Sequence, residues 1–92
     1  MANASHIVIL FTMEDALAET NKWESQAQAI LKAELKRKGV TYAQLVEKLA
    51  AIGVVDSEPN IRNKLSRGKF TAAFLLQCLE AVGVKELRVG DG

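Results

Sequence analysis

Six side chains crowded into residues 57–70 carry most of the chemistry this chain offers: Asn60, Arg62, Asn63, Lys64, Arg67 and Lys69. An asparagine amide sets a donor beside an acceptor, the pair an adenine edge needs in the major groove, and an arginine can fork onto guanine or hold a phosphate. Arg62, Lys64 and Lys69 suit phosphates. In this stretch four basic groups meet one acid, Glu58, giving a local charge of +3 in a chain whose total is +1. This is the chemistry of recognition, and the residues of catalysis are missing around it. The single histidine, His6, and the single cysteine, Cys78, cannot build a usual zinc site, and no glycine-rich phosphate loop is present. Glu47, Glu58 and Glu80 are scattered over different segments. The expectation is a protein without catalysis, cofactor or metal.

A helix must carry these groups. Ser57 is a good N-cap, Pro59 is tolerated in a first turn, and Gly68 stops the segment. Ile61 and Leu65, four apart, share the face that packs on a core. At about 100° per residue, Pro59, Asn60, Asn63, Ser66 and Arg67 lie opposite them, with Arg62 and Lys64 on the two flanks. The pattern predicts a helix over about 57–67 with an outward amide face and cationic edges.

Three more helices surround it. Asn21 with Glu24 marks a start, and Trp23, Ala27, Ile30, Leu31 and Leu35 recur at helical spacing up to Gly39, with Trp23 expected as a core anchor. The cations Lys36, Arg37 and Lys38 suit a last turn, where they compensate the helix dipole, or a phosphate. Thr41 and Gln44 form a capping box opening a helix with Leu45, Leu49 and Ile52 on one face. Its first N–H groups, at Thr41 and Tyr42, are a further anion site. Thr71 caps a last helix with Phe74, Leu75, Cys78, Leu79 and Val82 in a broad stripe ending at Gly83, which makes Cys78 a packed, inert thiol. Val84, Leu87 and Val89 are expected to fold back over the bundle.

The chain divides into an N-terminal extension, 1–20, and a helical domain, 21–92. Ile7-Val8-Ile9-Leu10-Phe11 reads as a short strand and 13–19 as helical. The strand could pair with another chain or with 87–89, or the extension could be floppy. Five apolar residues fall far short of the roughly 18 a spanning helix needs, and no cation precedes them as in a signal peptide. A cytoplasmic location is expected.

The run Asn60-Ile61-Arg62-Asn63-Lys64-Leu65-Ser66-Arg67-Gly68-Lys69-Phe70 resembles the recognition-helix segment of small phage-repressor-like helix-turn-helix regulators of the Cro and C1 type. The stretch Thr41-Tyr42-Ala43-Gln44-Leu45-Val46-Glu47-Lys48-Leu49 is similar to their first motif helix, and 74–84 to the apolar helix that follows. The chain resembles more closely an uncharacterised bacterial family of such domains over about 23–89. The resemblance implies an all-α, compact four-helix lambda-repressor-like bundle, with a short N-terminal strand or helix as an open addition. It also implies binding of double-stranded DNA, with Thr41, Tyr42, Ser57, Asn60, Arg62, Asn63, Lys64, Arg67 and Lys69 as candidate contacts and a homodimer as a possible state. One departure is visible: Leu49 to Ile61 is longer than in those regulators by roughly one helical turn. The competing reading is a protein-interaction module, antitoxin-like or adaptor, assembling through the apolar run 7–11.

Overall fold

The computed structural model describes residues 22–89. Four helices make an all-α bundle, and no strand occurs among the described residues. They are α1, spanning 22–38, α2, Tyr42–Ala51, α3, Glu58–Arg67, and α4, Ala72–Ala81. Expectations for the extension 1–20, and for Asn21 as a cap, fall outside the described residues.

The helix starts follow from hydroxyl caps. Thr41 Oγ1 accepts from the Gln44 N–H while Gln44 Oε1 accepts from the Thr41 N–H, closing the capping box. Ser57 Oγ accepts from the Asn60 N–H, and Thr71 Oγ1 from the Phe74 N–H. Each such cap stabilises its helix by about 1 kcal/mol.

Three of the helix ends share one local rule. Leucine, four residues on a glycine, and then valine recur as Leu35-x-x-x-Gly39-Val40, Leu49-x-x-x-Gly53-Val54 and Leu79-x-x-x-Gly83-Val84. In each the glycine has positive φ and the valine N–H donates to the leucine carbonyl at 2.9 Å. This closes a Schellman motif, in which the residue after the glycine turns back onto the last turn. All three valines pack against the core accordingly.

That core is Leu31 and Leu35 of α1, Leu45 and Leu49 of α2, Ile61 and Leu65 of α3, and Phe74, Cys78, Leu79 and Val82 in and after α4. α2 packs on both α3 and α4. Burial, with the Asp56 charge in support and Lys64 opposing, pushes the Cys78 thiol up to about 12, so it stays protonated and unreactive. Val84 and Leu87 fold back as expected, whereas Val89 remains exposed.

The expected core anchor is placed differently. Trp23 is 60% exposed, and Ala27 and Ile30 are only half-buried. At about 1.5 Å per residue α1 runs ~25 Å, against ~15 Å for each ten-residue helix.

Candidate nucleic-acid interface

α3 is positioned by its two ends. At the N-terminal end, Asp56 Oδ1 accepts the Ser57 N–H at 2.8 Å and Asp56 Oδ2 accepts Lys64 Nζ at 2.7 Å. The Asp56 side chain is only 7% exposed. Burial pushes its carboxyl up, but the Lys64 hydrogen bond, the Ser57 N–H, the Lys64 charge and the Asn60 amide together hold it below its ordinary value of 3.8. The same Lys64 ammonium lies 4.2 Å from the centre of the Phe74 ring. A carboxylate in the connection thus reaches into the middle of α3, and the cation between them rests on α4.

At the other end Gly68 adopts left-handed backbone, φ +68°, and its N–H donates to the Lys64 carbonyl. Unlike the other three positive-φ glycines among the described residues, it has a neighbour: a Cβ here would collide with the Glu24 backbone carbonyl of α1. The end of α3 seats directly on the first turns of α1. Lys69 extends the contact weakly, its Nζ 4.0 Å from Glu24 Oε2.

Between these clamps the helix buries Ile61 and Leu65 and leaves Pro59, Asn60, Arg62, Asn63, Ser66 and Arg67 exposed. The outward amide face is therefore present. The two flanks are not equivalent as expected. Arg62 is exposed and pairs with Glu58 at 2.7 Å, its Cζ lying 5.9 Å from the Tyr42 ring centre. Lys64 is half-buried, and its ammonium belongs to the Asp56 and Phe74 contacts. A helical wheel treats both cations alike because Asp56 lies outside the helix.

The anion site at the start of α2 also needs correction. The Thr41 N–H is occupied by Gln44 Oε1, and the Thr41 hydroxyl serves the cap. What the structure adds there is Lys32 and Lys36, which with Leu35, Val40, Thr41 and Tyr42 line an open hollow of about 370 Å³. Lys32 was not among the expected contacts. Its signal was the i, i+4 spacing to Lys36 on one side of α1, beside a Gly39-Val40 link short enough to fold α2 back along it.

The expected residues thus form two groups. Tyr42 and Arg62 meet across α2 and α3, while Asn60, Asn63 and Arg67 share the outer side of α3 and Ser57 closes its N-terminus. The connection that lengthened the motif, residues 52–57, is closed by the Gly53-Val54 turn and pinned by Asp56, with Val55 fully outside at 95% exposure. Among the described residues, no helix is long and apolar enough to cross a membrane.

No curated protein matches the chain, and no solved structure does. One family model matches residues 23–87, most of the chain and all four helices but for the first residue of α1, and on that match the chain belongs to the family described as Domain of unknown function (DUF6471).

Proposed function

We propose that this domain binds double-stranded DNA as a transcriptional regulator, with α3 as its recognition helix in the manner of the Cro and C1 type of helix-turn-helix protein. The observation that carries the reading is the exposed amide face of α3, held at both ends and edged by Arg62, Arg67 and Lys69. Asn60 and Asn63 would read base edges, and Arg67 a guanine or a phosphate. Arg62 and Lys69 would hold phosphates, and Lys32 and Lys36 offer a second cationic strip beside Thr41 and Tyr42. Lys64 takes a positioning role, because moving its ammonium to a phosphate would leave Asp56 buried and unpaired. The charge supports this: between residues 22 and 89, twelve cations face seven acids, a net +5 against +1 for the whole chain. Catalysis, cofactor and small-molecule substrate have no part in the reading, and cytoplasmic location and dimerisation accompany it.

The test is titration of labelled protein with random-sequence duplex at two salt concentrations. Backbone amides of α3 and of the α2 start should respond first. The triple variant Arg62→Ala, Arg67→Ala, Lys69→Ala should lower the slope of log affinity against log salt by about 2 to 3. An unchanged slope, or responses confined to residues outside α2 and α3, would sink the proposal. The protein-interaction reading stands second, favoured by the exposure of Trp23.

A further inference from the structure

An apolar groove of about 220 Å³ opens between the first turns of α1, Leu75 of α4 and the segment after α4. It is lined by Trp23, Ala27 and Ile30 of α1, Leu75 of α4, and Leu87 and Val89 beyond it, with Gln26 the lone polar side chain. Trp23 and Val89 in this lining are largely exposed, 60% and 69%. We propose that the groove is the docking site of this chain's own segment Ile7-Val8-Ile9-Leu10-Phe11, bound in cis.

Three observations select this occupant. The first is attachment: the chain enters α1 at Lys22, beside Trp23, so the preceding residues begin at the rim of the groove. Twelve steps separate Phe11 from Trp23, a span of up to ~40 Å, long enough for the run to come back to the groove. The second is composition. Residues 7–11 are the longest run of large apolar side chains in the sequence, matching a lining with one polar group. The third is charge: residues 1–21 carry Glu14, Asp15 and Glu19 and no Lys or Arg, while Lys22 and Arg88 adjoin the groove walls in sequence and the helical domain is net positive. A second copy of the domain suits the site less well. It would set two positive domains face to face across seven lining residues, where a stable interface takes about 20 to 30 a side. A short tether raises the effective concentration of the cis segment to about the millimolar range, enough to populate a small contact.

Trp23 is the only tryptophan, so its fluorescence reports cover of the groove directly. The full chain is compared with the full-length double variant Ile9→Asp, Phe11→Asp, whose changes lie outside the helical domain. The expected result is a red shift of the emission maximum and stronger acrylamide quenching in the variant, with the far-UV circular dichroism of the helices retained. In the wild type, the protection must persist on dilution, whatever the mass found by analytical ultracentrifugation. Equal spectra and quenching in the two proteins would overturn the proposal. Protection lost on dilution in step with a dimer would overturn it in favour of a second copy. Neither result depends on DNA, so the outcome is separate from that of the duplex titration.

Discussion

α3 and α4 have the same length and the same kind of hydroxyl cap, yet they are held in opposite ways. α4 is fixed by its face: Phe74, Cys78 and Leu79 are buried along it. α3 buries only Ile61 and Leu65, and it is tied instead by Asp56, which lies before its N-terminus and holds Lys64 of its last turn, and by Gly68 seated on Glu24 at its C-terminal end. The difference shows how a helix can be placed firmly while most of its circumference stays free. A face given to the core is unavailable to a partner, whereas end clamps leave it open.

The comparison breaks most visibly at Phe74, which belongs to both schemes as core residue and as the ring beneath Lys64. Phe74→Ala should lower unfolding free energy by about 3 to 5 kcal/mol in chemical denaturation, and a loss no larger than that of a surface change would mean the bundle does not rest on α4. The glycine clamp comes next. Gly53 and Gly68 both take left-handed backbone, but only Gly68 lies against another helix. Gly53→Ala should cost the roughly 1 to 2 kcal/mol of the strained conformation, and Gly68→Ala clearly more. Equal costs would show that the seat on Glu24 is dispensable. The smallest of the three concerns Asp56. Asp56→Asn should cost about 2 kcal/mol at neutral pH through the lost charge-assisted hydrogen bonds. Because the folded carboxyl titrates below its ordinary value, its contribution is present above the unfolded value and is lost as pH falls through the folded one. Thermal melts from about pH 5 down to about pH 3 should therefore show an acid-side loss in the wild type that is reduced in the variant.

Helix boundaries were the most legible part of the chain. Thr41, Ser57 and Thr71 as caps and Gly39, Gly53, Gly68 and Gly83 as stops are all found in those roles, because caps and left-handed turns depend on residues only a few positions apart. The outward face of α3 was legible for the same reason: its wheel needed only Ile61 and Leu65 to be oriented. Trp23 was misplaced because periodicity fixes the side of a helix on which a residue lies and says nothing about how far the neighbouring helices extend. The Lys64 ion pair was not legible because its partner sits eight residues upstream in a connection, and the placing of Lys32 beside Thr41 and Tyr42 was not, because it arises only after α2 folds back.

The three leucine, glycine and valine closures also bear on how quickly the molecule can form. Each stop signal is complete within six residues, so α1, α2 and α4 can choose where to end before any of them has docked. What remains of the search is the arrangement of short rods whose lengths are already set. Helical domains in which sequence neighbours make most of the contacts cross their barrier in about microseconds to milliseconds. What these local signals leave to be found includes the seating of Gly68 on Glu24, which brings the end of α3 back to the start of α1 across more than forty residues.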